Sequence, residues 1–157
     1  MSIQATYAHT NLIARNWQRL AAFYQDVFGC VLVPPPRDLC GRALEQGSGV
    51  PGAALQGVHL RLPGHGDAGP TLEIFTYTHL AEAPWPVAHR PGFGHIAFMV
   101  EDVEAARTAV IHAGGSPLGE IVTTSAGPRS VTWCYVRDPE GNLIELQKWS
   151  LSPQPVG

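Results

Sequence analysis

Two stretches of the chain carry the same pattern of apolar and polar positions. His9-Thr10-Asn11-Leu12-Ile13-Ala14-Arg15-Asn16-Trp17 and His95-Ile96-Ala97-Phe98-Met99-Val100-Glu101-Asp102-Val103 each open on a histidine, alternate apolar positions, and meet Asn or Asp before an apolar residue. Alternation of period two marks a strand with one face on a core, so each histidine is expected to begin a strand. His9, Asn11 and Ile13 then share one face, and His95, Ala97 and Met99 share the equivalent one. The spacing next turns helical. Asn16 and Asp102 are suitable N-caps, because their side chains can accept from the unbonded N–H groups of a first turn. Trp17, Leu20, Ala21, Tyr24, Val27 and Phe28 follow at helical spacing up to Gly29. Val103, Ala106, Val110 and Ala113 do the same up to Gly114-Gly115.

Three further strands are expected in each half. In the first they lie near Val31–Pro34, Val58–Leu62 and Thr71–Tyr77; in the second, near Gly119–Thr123, Val131–Arg137 and Leu143–Trp149. Asp138-Pro139-Glu140-Gly141-Asn142 is a strong turn signal. Each half thus reads strand, helix, three strands, an α+β class. The expected boundaries are a first module at 5–80, a linker at 81–91 that is Pro-rich from Pro84 to Pro91, a second module at 92–149, and a Pro-containing, mobile tail at 150–157. Pro34 to Ala54 reads as an irregular loop with room for short structure.

Composition narrows the classes. The chain has 157 residues, 45% hydrophobic and 15% charged, with formal net charge -3. That describes one folded domain without the basic field that nucleic acid requires. No apolar run reaches the roughly 20 residues that span a bilayer. The N-terminus carries no signal-peptide pattern, and three widely spaced cysteines read as reduced thiols, so a cytoplasmic setting is expected.

The repeat also aligns chemistry. Glu73 lies within Thr71-Leu72-Glu73-Ile74-Phe75, and Glu145 within Leu143-Ile144-Glu145-Leu146-Gln147, each a carboxylate inside an apolar strand. A half-buried carboxylate needs a partner. With His9 and His95 they make two matching His/Glu pairs, the donor set of a mononuclear Mn, Fe, Co, Ni or Zn site with positions left open for substrate. Strand alternation adds Asn11 beside His9, His59 and Arg61 on one strand, Phe75 and Tyr77 on the face of Glu73, and Gln147 on the face of Glu145, as substrate-lining candidates. Trp133 and Tyr135 face either pocket or core. Arg37 is a weaker candidate as a gate, and Glu45 a weaker one as a base. His65, His79, His89 and His112 read as surface residues.

These motifs resemble the vicinal oxygen chelate superfamily, which includes glyoxalase I, methylmalonyl-CoA epimerase, extradiol dioxygenases and fosfomycin- or bleomycin-resistance proteins. The resemblance runs from about Tyr7 to Lys148. It rests on His9 with Leu12 and Ala14, Phe23-Tyr24 through Phe28-Gly29, Thr71-Leu72-Glu73-Ile74, Gly94-His95-Ile96-Ala97, and Asp138 through Leu146. It implies paired βαβββ modules whose mixed sheets curl around a metal cavity, a small-molecule substrate, and a homodimer. It also implies proton abstraction next to a metal-bound carbonyl, with Glu145 the first choice as base and Glu73 the second. Glyoxalase I-like members use His, Glu, His, Glu, as here. Epimerase-like members have Gln in the second place. Extradiol Fe(II) dioxygenases use two His and one Glu, which leaves Glu73 without a role, and binding modules generally lack the metal residues. Where glyoxalase I carries Arg and Asn to hold glutathione, this chain has Ile13 and Tyr77. The expectation is therefore a metal-dependent lyase or isomerase that does not use glutathione, with a dioxygenase or a non-catalytic binding or resistance module as the alternatives.

Overall fold

The structure is a computed structural model that describes residues 3–151. The chain divides into two compact units, Met1–Ala83 and Pro84–Gly157. The break falls inside the expected linker.

The first unit runs β1 (His9–Ile13), α1 (Trp17–Phe28), β2 (Val31–Cys40), α2 (Arg42–Ser48), β3 (Ala54–Arg61) and β4 (Thr71–Tyr77). Its sheet has the order β1-β4-β3-β2, with β1 parallel to β4 and the other pairs antiparallel. Asn16 caps α1 by accepting from the Arg19 N–H at 2.9 Å. Gly29, with φ of 67°, ends it in the left-handed conformation that glycine adopts without a Cβ clash. Leu20, Ala21, Phe23 and Tyr24 of the helix are buried, as are Val58, Leu60, Leu72 and Ile74 on the sheet face that packs against it. That packing leaves the other parity of each strand on the opposite face.

The segment from Pro34 to Ala54, expected as a loop, is more regular than its prolines suggest. Strand β2 continues to Cys40, with a register shift between Val33 and Arg37. A helix of seven residues, α2, follows. Strand β2 is the sheet edge, so a proline's missing N–H costs no ladder bond on the outer side.

The second unit runs β5 (Ile96–Met99), α3 (Val103–His112), β6 (Ser116–Pro117), β7 (Val122–Ala126), β8 (Arg129–Arg137) and β9 (Leu143–Leu151). Strand β5 is parallel to β9, β8 is antiparallel to β9, and β6 and β7 both pair antiparallel with β8. The order repeats the first unit's, with β6 and β7 together in the place of β2. Asp102 caps α3 through Ala105 N–H at 2.9 Å. Val103 and Val110 of α3 are buried, together with Cys134, Val136, Ile144 and Leu146 of the sheet.

The expected α+β class and strand–helix–strand modules are present as two mixed sheets, neither closed into a barrel. Some boundaries differ. The strand expected at Gly119–Thr123 is β7, starting at Val122. Ser150 and Leu151, expected in the tail, extend β9 opposite Ser130 and Arg129. Residues 152–157 of the expected tail lie outside the described residues. Trp85 and Pro86, expected in the linker, are tied to the second unit: Arg137 stacks over the Trp85 ring at 5.5 Å and donates to the Pro86 carbonyl at 2.7 Å. Among the described residues no helix is long and apolar enough to cross a membrane.

Candidate functional site: two half-sites of one design

Each carboxylate sits in the strand that lies between two others. In the first unit Glu73 on β4 is paired with His59 across the antiparallel β3 and with Asn11 across the parallel β1. Directly opposed residues share a face and bring their side chains together, so the sheet register delivers His59 to Glu73. His59 Nε2 lies 2.9 Å from Glu73 Oε1, and His9 Nε2 lies 3.4 Å from Oε2. Glu73 is 9% exposed. A carboxylate withdrawn from water to that degree is stabilised only by charge or donors brought to it, and two imidazoles provide them. The His59 ring also lies 6.2 Å from His9 and 5.8 Å from Phe75, between ring centroids. Burial holds its pKa below the ordinary value; Arg37 and His9 push the same way and Glu73 opposes them. His59 is thus biased toward the neutral form, which donates from one nitrogen only.

The second unit repeats the arrangement with one substitution. Glu145 on β9 pairs with Ala97 on β5 and with Tyr135 on β8. His95, just before β5, places Nε2 3.0 Å from Glu145 Oε2. Its ring stacks at 5.0 Å on Tyr135, which in turn meets Trp133 at 5.2 Å. Burial first, and Glu145 second, raise the Tyr135 pKa, so this phenol stays protonated and able to donate. The β9 strand is set in place by the turn before it. Asp138, 3% exposed, accepts from Glu140 N–H at 2.9 Å, Asn142 N–H at 3.0 Å and Asn142 Nδ2 at 2.9 Å.

Of the expected lining residues, His59 and Phe75 gather at Glu73, and Asn11 lies beside it on β1, exposed. Gln147 shares the face of Glu145 and accepts from Trp149 Nε1 at 3.0 Å. For two others the structure shows other neighbours. Arg61 donates to the Gly69 carbonyl at 3.2 Å and so ties down the β3–β4 connection. Tyr77 lines a cleft of about 370 Å³ with Arg15, Trp17, Asp38 and Gln56. Arg37 lies on β2 opposite Gly57 and donates to the Pro35 carbonyl. Glu45 is in α2, and His65, His79, His89 and His112 are exposed. Sequence alternation left Trp133 and Tyr135 unassigned. The buried phase of Cys134 and Val136 puts both on the face of Glu145.

The donor chemistry suits a divalent metal. Two ligands each about 2.1 Å from an octahedral ion at a right angle lie about 3.0 Å apart. The His/Glu pairs, at 3.4 and 3.0 Å, are close to that spacing. Among the described residues no three His, Cys, Asp or Glu side chains form by themselves a group that could hold a metal ion. Each unit supplies one such pair, and the first adds His59 at 2.9 Å from Glu73.

A family model described as the Glyoxalase/Bleomycin resistance protein/Dioxygenase superfamily matches residues 6–146. No curated protein sequence matches the chain. Among solved structures, a glyoxalase family protein from Bacillus cereus is similar with a TM-score of 0.78 at 16% identity, over 94% of this chain and 96% of that one. A glyoxalase/bleomycin resistance protein/dioxygenase domain from Frankia sp. EAN1pec is similar with a TM-score of 0.57 at 16% identity, over 94% and 98%. A family enzyme from Burkholderia phytofirmans PsJN gives 0.55 at 15% identity, over 92% and 98%. At these identities the likeness is one of fold.

Proposed function

The chain belongs to the Glyoxalase/Bleomycin resistance protein/Dioxygenase superfamily, and from that premise we propose that it is a metal-dependent lyase or isomerase acting next to a carbonyl of a small substrate. The superfamily includes many enzymes, and its members bind small molecules and often form dimers. The observation that carries the reading is the duplicated pair: His9 with Glu73 and His95 with Glu145, each at ligand spacing and at matching strand positions. In this reading the four side chains are the ligands of one divalent ion, drawn from Mn, Fe, Co, Ni or Zn.

A divalent ion held there would supply Lewis-acid polarisation of a substrate carbonyl. The chain's own residues do the rest. Glu145 takes the proton from the carbon next to that carbonyl. Returning it to the same or the neighbouring carbon completes an isomerisation, whereas loss of a leaving group from the carbon beyond, with the proton passed from Glu145 to that group, completes an elimination. Tyr135, protonated and on the same face, is placed to donate to a substrate oxygen. Phe75 shares the strand face of Glu73 and Trp133 that of Glu145, each putting apolar surface beside its own carboxylate. Ile13 and Tyr77 stand where a glutathione-using relative carries its peptide-binding Arg and Asn, so the substrate in this reading is not a glutathione adduct.

The test has two parts. Protein loaded with each metal in turn is incubated in heavy water with 2-oxo acids, 2-hydroxy acids and CoA thioesters, and deuterium incorporation is followed by NMR. The reading expects metal-dependent exchange at the carbon beside the carbonyl, lost in Glu145→Gln. Oxygen consumption with a catechol, in place of exchange, would sink it in favour of a dioxygenase. Full-affinity ligand binding by metal-free protein, unchanged in Glu145→Gln, would sink it in favour of a binding module.

A further inference from the structure

Glu73 and Glu145 are equivalent in position but not in partners. Opposite Glu145, β8 presents Tyr135; opposite Glu73, β3 presents His59. The first carboxylate therefore has imidazoles on both oxygens, 2.9 Å from Oε1 and 3.4 Å from Oε2. His59 is the shorter contact, and at 19% side-chain exposure it is the more enclosed of the two histidines, against 46% for His9. Its ring is braced by Phe75 at 5.8 Å. On the other side of the ring's strand, Leu60 and Val58 are buried against the core, which fixes the backbone that carries it.

We infer that His59 is a positioning residue for Glu73: its Nε2–H holds Oε1, so that Oε2 is the oxygen presented beside His9. The inference rests on the reading above that His9 and Glu73 are metal ligands. A carboxylate has two oxygens and a freely turning end. Fixing one by a hydrogen bond from a rigid strand neighbour selects which oxygen coordinates and removes the entropy of choosing. The second unit has no imidazole at this place, so its carboxylate keeps more freedom. That asymmetry suits a division of labour in which Glu73 stays a ligand and Glu145 moves the proton.

Co(II) alone is the probe, titrated into the metal-free 157-residue chain and read by its visible absorption, with wild type, His9→Ala, Glu73→Gln, His59→Ala and His59→Gln compared. Gln can place an amide N–H near the position of the imidazole Nε2–H, so it tests the hydrogen bond and not the ring. The inference expects His59→Ala to weaken Co(II) binding about 10–100-fold, His59→Gln to restore it to within about threefold, and the band positions of bound Co(II) to stay those of wild type in both. Wild-type binding with His59→Ala equally tight overturns the inference and leaves the ligand reading standing. His59→Gln as weak as His59→Ala, with shifted bands, makes His59 a ligand and likewise overturns it. Wild type that fails to bind Co(II), or binds it no better than His9→Ala and Glu73→Gln, overturns the ligand reading and the inference with it. Circular dichroism on every variant separates lost folding from lost positioning, and His59→Gln decides the matter should His59→Ala not fold.

Discussion

At the scale of single residues, burial decides which groups are available for chemistry. Glu145, the base of the proposed function, is partly withdrawn from water, with one imidazole at 3.0 Å and a phenol opposite. In the proposed function, Glu145→Gln lowers the rate of deuterium exchange by about 10²–10⁴ while leaving the fold intact, as loss of a positioned base does. The thiols make a contrast that does not depend on any reaction. Cys40 is exposed, whereas Cys30 and Cys134 are buried. Burial pushes the Cys30 thiol up to about 11 and raises Cys134 as well, where Arg107 acts the other way. The thiolate is the reactive form, so raising the pKa by burial lowers reactivity as it lowers access. Iodoacetamide at pH 8 should modify Cys40 within minutes. Cys30 and Cys134 should react at least about 100-fold more slowly until urea unfolds the chain, as mass spectrometry of the timed digest would report. Equal labelling of all three in folded protein would contradict the burial described.

At the scale of elements, two local devices set the register that delivers the carboxylates. The turn after β8 is centred on Asp138, whose buried carboxylate accepts three N–H bonds while Gly141, at φ of 90°, closes the loop. Asp138→Ala leaves those donors without their partner, and a loss of about 2–4 kcal/mol is expected from the urea midpoint; Asn142→Ala, which removes one side-chain donor, costs about 1 kcal/mol. On β3 the device is Gly57. A Cβ there would run into the Ile74 carbonyl oxygen and the Phe75 backbone, so Gly57→Ala should lower the melting temperature by the equivalent of about 3 kcal/mol or more. The second unit has Trp133 at the matching place, opposite Gln147. These elements also show where a sequence is legible. Strand β1, both long helices with their Asn16 and Asp102 caps, and the 138–142 turn each write themselves in a short window of periodicity or turn chemistry. Strand β2 does so only as far as Pro34; beyond it Pro34-Pro35-Pro36 erases the alternation, and only its place at the sheet edge makes prolines tolerable. The pairing of His59 with Glu73 is illegible for another reason: alternation gives the face, but the partner depends on the register between β3 and β4, which no local window contains.

At the scale of the whole molecule, the chain is two units of one topology, each with its own helix-covered core and each with a single His/Glu pair of the proposed ligand set. A pair alone is a weak chelator, whereas four ligands make a site, so the proposed function expects metal binding to need both pairs. Ligand binding to the native state stabilises it by RT ln(1 + [L]/Kd), about 2.7 kcal/mol at a hundred times Kd, and slows the opening of every element that carries a ligand. Hydrogen exchange resolves this by element. With Mn(II) or Co(II) added, amides of β4 around Glu73 and of β9 around Glu145 should both gain protection, by up to about 100-fold for openings that release the ion. The decisive variant is His95→Ala, which alters only the second unit's pair. If the four side chains share one ion, this substitution removes the metal-induced protection of β4 as fully as His9→Ala does. Should β4 keep its protection in His95→Ala, the first unit's pair, with or without His59, binds metal by itself, and the four-ligand site gives way to two independent ones.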